Sequence, residues 1–282
     1  MLHCLFFSCV SITFKLLLEQ GFTVFQLITM ETVVSLVCVV PWFLFKNRTP
    51  FDMAMLPLYL LRSVLWIVAT ATFFYATTRI PIPQAIAISF AVPLFNTIFA
   101  TLILKEHVGY HRILAIITGF IGMMVIVQPG LDNFNSASLL VVFASLCWSL
   151  NDVIVKIMGK TQPVLLQSVT FLSVSVIMST PLTYYYWVVP TLPQWALLLL
   201  IGFFFVLALV TLLNAYGGSD LSVLMPFYFL QLLFISVFAY VLFNEAIKPT
   251  TITGALIILS SATYIAYRER QKKRAIIIKP MI

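Results

Sequence analysis

Five ionisable residues lie inside otherwise apolar stretches of this chain: Lys15, Glu31, Arg62, Asp152 and Lys156. Holding charge in such surroundings is costly, so each is a candidate for chemistry before it is a candidate for packing. Asp152 and Lys156 are four residues apart, which puts them on one helical face where they can pair. Such a pair leaves a charge-assisted hydrogen-bonding edge for a solute that itself carries both charges. Lys156 also lies near the end of its stretch, as Lys15 does, and a lysine there can lay its stem along apolar surface with its ammonium in water. Glu31 is ten residues into its stretch, too deep for that escape. It either pairs, with Lys15 or Arg62, or titrates. Arg62 stands near the start of its stretch and is read as interfacial.

Other patterns carry less. His107 and His111 are four apart, but only Glu106 stands near them as a further ligand, so a solvated loop is the expectation rather than a metal site. Cys4, Cys9, Cys38 and Cys147 show no metal or redox spacing and read as small buried hydrophobes. Glu106 and Glu245 each precede a helix, where exposed N–H groups and the dipole stabilise a carboxylate. Asn96, Asn214, Gln84 and Gln231 are neutral candidates for a polar lining. Trp66, Trp148, Tyr75, Tyr216 and Tyr228 are candidates for its walls, with packing and interfacial roles equally open.

The elements that hold these residues follow from composition. Of 282 residues, 62% are hydrophobic and 9% charged, against ~25% charged in soluble domains. That is too little charge for a water-facing surface. The apolar residues fall into blocks of about 17–24, the length of a bilayer-spanning helix. Ten are expected: 2–18, 22–45, 57–78, 82–104, 112–128, 137–158, 164–187, 194–216, 221–243 and 251–267. They are separated by breaks such as Lys46-Asn47-Arg48-Thr49-Pro50, Gln128-Pro129-Gly130 and Gly217-Gly218-Ser219-Asp220. No basic residue precedes the first block and no small-residue cleavage site follows it, so it is expected to remain as a helix.

Basic residues in short loops orient the chain. With the N-terminus cytoplasmic, that side carries Lys46, Arg48, Lys105, Arg112, Lys160 and the cluster Arg268, Arg270, Lys272, Lys273, Arg274 and Lys279; the other carries Arg79 and Lys248. Both termini are therefore expected in the cytoplasm of a multi-pass protein of the bacterial inner membrane. The net charge of +7 is mostly this topology signal. The basic tail 268–282 reads as an anchor to anionic headgroups, not a nucleic-acid site.

The two halves match. A shift of 139 aligns Phe90 with Phe229, Leu94 with Leu233, Phe95 with Phe234, Phe99 with Phe238, Ala100 with Ala239 and Glu106 with Glu245. A shift of 141 aligns Lys15 with Lys156, Gln26 with Gln167 and Thr29 with Thr170. The expected fold is an all-α membrane protein of ten transmembrane helices in two inverted five-helix repeats, 1–130 and 131–267. An odd helix count turns the second copy upside down, and such repeats place a solute site near the midplane and alternate its access. A membrane enzyme would need paired acid–base groups or metal ligands, and no such set is present. No phosphate-binding loop argues for ATP drive.

Leu104-Lys105-Glu106, Phe243-Asn244-Glu245, Ser89–Phe95 and Thr118-Gly119-Phe120-Ile121-Gly122 together resemble the EamA-type branch of the drug/metabolite transporter superfamily. Within it, Asn151-Asp152-Val153-Ile154-Val155-Lys156 and Ile88–Phe95 are most similar to bacterial S-adenosylmethionine uptake transporters. The chain departs from that group at Ser11, where an aspartate is usual, and at Glu31, near a usual arginine. The resemblance implies that helices 1–4 and 6–9 surround a central cavity, with helices 5 and 10 peripheral and no metal or organic cofactor. A secondary transporter of a small polar metabolite, S-adenosylmethionine or an amino-acid-like solute, is thus expected; an exporter of amino acids or drugs is the alternative. The expected partners are that solute and the lipid bilayer, and a homo-oligomer is compatible with them. The expected substrate-binding set is Asp152, Lys156, Asn151, Lys15, Glu31, Asn96, Tyr228 and Gln231.

Overall fold

Backbone N–H and C=O groups have no water to bond in hydrocarbon, so each apolar block must satisfy them internally and fold as a helix. The computed structural model describes residues 2–46, 52–104, 110–127, 135–159, 161–218, 229–245 and 247–278. Among them are eleven α-helices and no strand: α1 (Leu2–Glu19), α2 (Val24–Lys46), α3 (Leu56–Thr77), α4 (Ile82–Ser89), α5 (Val92–Leu104), α6 (Tyr110–Val127), α7 (Ala137–Met158), α8 (Val164–Tyr185), α9 (Leu192–Gly218), α10 (Phe229–Phe243) and α11 (Pro249–Ile278). Seven helical stretches are long and apolar enough to cross a membrane, Ile82–Ile103 (α4 with α5) among them. Three shorter apolar helices, Ile117–Val127, Phe234–Phe243 and Pro249–Ser261, fall at the remaining expected positions.

Two helices depart from the simple ten-block reading. The block 82–104 is not continuous: α4 stops at Ser89 and α5 begins at Val92. Pro93 has no N–H for the bond that the Ser89 carbonyl would accept in an unbroken helix. Instead Ala91 N–H returns to Ile88 O at 3.0 Å, and Leu94 and Phe95 N–H both return to Ala91 O at 3.0 Å. At the other end of the chain, α11 does not stop at residue 267 but continues to Ile278. The segment after Tyr267 is rich in Arg, Glu, Gln and Lys, all good helix formers, and Gln271 links back to the Tyr267 hydroxyl and to Arg268.

Packing follows small and hydroxylated residues, as expected where lipid removes most of the hydrophobic drive between helices. Along α2 and α8, the Thr29 hydroxyl meets those of Ser179 (2.9 Å) and Thr183 (2.7 Å), and the Gln26 amide bonds both N–H and C=O of Val188. Between α6 and α11, a Cβ added at Gly254 would stand 2.6 Å from the Gly122 carbonyl oxygen and 2.4 Å from Ile126 Cγ1, so only glycine permits this approach. The α3–α7 and α1–α9 pairs complete the main contacts.

Candidate functional site

The face of α7 that carries Trp148, Asn151, Asp152 and Val155, at helical spacing i, i+3, i+4 and i+7, lines a cavity of about 160 Å³. That is room for on the order of ten water molecules. Arg62 and Trp66, one turn apart on α3, form a second wall, and Ser89, Phe90 and Val92 bring in the α4–α5 break. Irregular backbone at membrane depth is tolerated where it lines such a cavity. Asn96 of α5, Phe171 of α8, Phe205 of α9, Gln231 of α10 and His3 of α1 close the remaining sides, and among the described residues none of the lining comes from α6 or α11.

The polar groups are organised from across the bundle. Asn96 Nδ2 donates to Asp152 Oδ2 at 3.1 Å, and its carbonyl oxygen accepts from Ser149 Oγ at 2.7 Å. One asparagine thereby ties α5 to two successive turns of α7 and steadies the carboxylate without neutralising it. The aromatic walls are packed against each other: Trp66 meets Phe171 edge-on at 5.5 Å and Phe205 at 5.3 Å, and Trp148 meets Phe73 at 5.1 Å. His3 Nδ1 donates to the Ala208 carbonyl at 2.9 Å, which pins the start of α1 against α9.

Of the eight residues expected to bind substrate, Asp152, Asn151, Asn96 and Gln231 line this cavity. Lys15, Glu31 and Lys156 do not, and Tyr228 lies outside the described residues. Asp152 bonds to Asn96 rather than pairing with Lys156, which is exposed one turn beyond it. Lys15 is buried, not extended to an aqueous edge, and donates from Nζ to Glu245 Oε1. Its ammonium also stands 4.5 Å from the centre of the Phe243 ring. Glu245 in turn does not serve the helix that follows it. Asn244 takes φ 54°, a conformation asparagine tolerates, and the turn aims Glu245 at α4, where Oε2 accepts the Ile82 N–H at 3.0 Å. The N-cap of α4 is Pro81, which supplies no side-chain bond, so the cap arrives from 163 residues away. The matching glutamate, Glu106, lies outside the described residues, as does His107.

Glu31 is buried where α2 crosses α9 and pairs with neither Lys15 nor Arg62. Its carbonyl, not its carboxylate, is what Ser35 Oγ bonds, along with the Gly202 carbonyl of α9, at 2.6 and 2.7 Å. Arg62 is the residue that sequence spacing misplaced. It is 2% exposed, its guanidinium lies 4.3 Å over the centre of the Phe171 ring, and it faces the cavity instead of an interface. The apolar helical stretch runs Met53–Thr77, beginning four residues before the expected 57, so Arg62 stands further from its start than the expected span indicates. The signal that marks it is the i, i+4 spacing to Trp66, an arginine and an aromatic on one face.

The model of the EamA-like transporter family matches the chain twice, over residues 1–128 and 135–267. An S-adenosylmethionine uptake transporter of Rickettsia bellii is 31% identical over 80% of this chain and 76% of its own length. A riboflavin transporter of Brucella anthropi is 26% identical over 86% and 88%, and one of Vibrio cholerae 32% identical over 77% and 73%. A solved crystal structure of a protein superposes with a TM-score of 0.67 over 96% of this chain and 98% of its own, at 15% identity, which establishes the fold alone. The chain therefore belongs to the EamA-like transporter family: it is a multi-pass membrane protein that carries a small solute, and not an enzyme.

Proposed function

We propose that the chain is a secondary carrier of the S-adenosylmethionine type, taking a small zwitterionic metabolite across the bacterial inner membrane with both termini in the cytoplasm. The observation that carries this reading is the cavity itself, whose lining holds the Asp152 carboxylate, bonded by Asn96, and the unbonded side-chain carbonyl of Asn151 between walls of tryptophan and phenylalanine. A carboxylate and an amide acceptor suit a cationic centre and its N–H groups, and the aromatic walls suit a planar or sulfonium-bearing body. The two halves matched by one family model, read as inverted copies, would exchange access to the cavity by rocking against each other. The names of the Rickettsia relatives support the same solute class.

Riboflavin is the second reading, favoured by the Brucella and Vibrio relatives and by the aromatic walls, which also suit a flat ring. Uptake of labelled S-adenosylmethionine, methionine and riboflavin into proteoliposomes separates the two. S-adenosylmethionine is expected to accumulate, and Asp152→Asn to cut its uptake by roughly ten- to a hundredfold, the loss of one charge-assisted contact. The amide keeps the acceptor that Asn96 uses, so the yield of monodisperse protein should stay near that of the parent. Uptake by Asp152→Asn equal to the parent's removes Asp152 from the site.

A further inference from the structure

Building on that reading, we infer that Arg62 receives the carboxylate of the transported solute while Asp152 receives its cation, so the carrier selects zwitterions with a free carboxylate. Nε and Nη1 of Arg62, two of its three guanidinium nitrogens, are buried without a hydrogen-bond partner. Arg62 is nevertheless part of the cavity wall, together with Asp152. The two charges share the cavity without forming an ion pair or hydrogen bond to each other.

A buried cation with unsatisfied donors is among the most expensive arrangements a protein can hold. Native structures keep such groups where something else completes them. Here the guanidinium carbon already lies 4.3 Å over the Phe171 ring centre, while the N–H edges at Nε and Nη1, which lie in the guanidinium plane, have no acceptor. Those edges match a carboxylate better than any other common solute group. On the α7 side, Asn151 Oδ1 is likewise buried with no partner, and it adds an acceptor next to Asp152 for the N–H of a cationic head. The unsatisfied groups thus fall into two sets of opposite kind, donors on α3 and an acceptor on α7. A solute with separated negative and positive ends satisfies both; a neutral flavin satisfies neither with charge.

The test uses the full chain in proteoliposomes and competes labelled S-adenosylmethionine uptake with unlabelled S-adenosylmethionine, with its decarboxylated form, and with riboflavin. In the parent, the decarboxylated form is expected to compete roughly ten- to a hundredfold less well, the worth of a charged hydrogen bond. Arg62→Gln is expected to weaken S-adenosylmethionine by a similar factor and leave competition by the decarboxylated form unchanged. Arg62→Lys, with charge but no planar fork, should fall between them. Equal competition by the two forms in the parent overturns the inference, and needs no variant to fold. So does an Arg62→Gln change that weakens both forms alike. If the parent takes up riboflavin and not S-adenosylmethionine, a carrier remains but this inference falls; if it takes up no member of the panel, the proposed function falls first.

Discussion

The Lys15–Glu245 pair joins residues 230 positions apart, and the structure allows its coupling to be worked out. The Lys15 side chain is 6% exposed and that of Glu245 20%, between the exposed pairs that contribute ~0–1 kcal/mol and the buried ones whose breaking costs ~3–5 kcal/mol. Glu245→Gln keeps an acceptor for the Ile82 N–H but leaves the ammonium with the face of Phe243, worth ~0.5–2 kcal/mol. A net loss of about 2–3 kcal/mol is expected. Lys15→Met leaves a carboxylate that still accepts from Ile82, gains from the α4 dipole by ~0.3–1 kcal/mol, and reaches some water. Its cost should be smaller, about 1–2 kcal/mol. The double variant leaves no orphaned charge, so it should lose only about 1 kcal/mol, less than the sum of its parts by roughly 2–4 kcal/mol.

The assay is reversible unfolding of the four proteins in one mixed-micelle condition, followed by tryptophan fluorescence. Exchanging the partners, Lys15→Glu with Glu245→Lys, should recover only part of the loss. That exchange restores the pair but sets a cation against the N-terminus of α4 and strips Ile82 of its acceptor. Additivity of the two single changes within ~0.5 kcal/mol would refute the reasoning, since it would mean that the two groups do not sense each other.

Three further outcomes are expected. Glu31→Gln should leave stability within about 1 kcal/mol of the parent, because no partner of the carboxylate is lost; thermal unfolding that reveals a loss of several kcal/mol would mean that Glu31 is paired after all. Gly254→Ala should cost about 1–3 kcal/mol by forcing α6 and α11 apart, while transport per folded molecule stays unchanged because no described residue of either helix lines the cavity; a selective loss of transport would tie this contact to function. In a background free of native cysteines, Asn133→Cys and Lys248→Cys should react with a membrane-impermeant maleimide from outside intact cells and Arg48→Cys should not, and labelling at position 48 would overturn the orientation.

How far the sequence reaches can be argued from particular elements. The α7 span, 137–158, is legible to the residue because a charge-poor run bounded by polar breaks is a one-dimensional signal. Its cavity face is legible only in part: Asn151 and Asp152 are on it as expected, whereas the sequence offers Lys156 where Val155 lines the cavity. The α4–α5 break was within reach: Pro93 sits inside the motif Ser89–Phe95, but hydropathy averages across a short interruption and reports one span. What spacing does not carry is the partner. It proposed Lys156 for Asp152 because i and i+4 are the neighbours that a single helix defines, whereas the bond goes to Asn96 on another helix. It left Lys15 at an aqueous edge and Glu245 on the following helix, and the bundle joins them.

The same distinction sorts the intramembrane charges by role. Every ionisable group held at this depth needs its cost offset by something. For Lys15 the protein supplies that partner, in Glu245, which makes the pair a part of the scaffold. For Asp152 the protein supplies a neutral amide as the direct partner, which fixes the carboxylate's position, while the Arg62 charge acts on it from beyond ion-pair distance. For Arg62 it supplies an aromatic face and no acceptor for two of its nitrogens. A protein that only needed stability would have paired Arg62 with Asp152 or replaced both with apolar residues. Keeping the two apart in one cavity is costly in the empty state, and under the proposed assignment a solute that bridges them would recover that cost on binding. Affinity would then depend on both charges of the solute, which makes the decarboxylated competitor a more decisive reagent than any change to the protein.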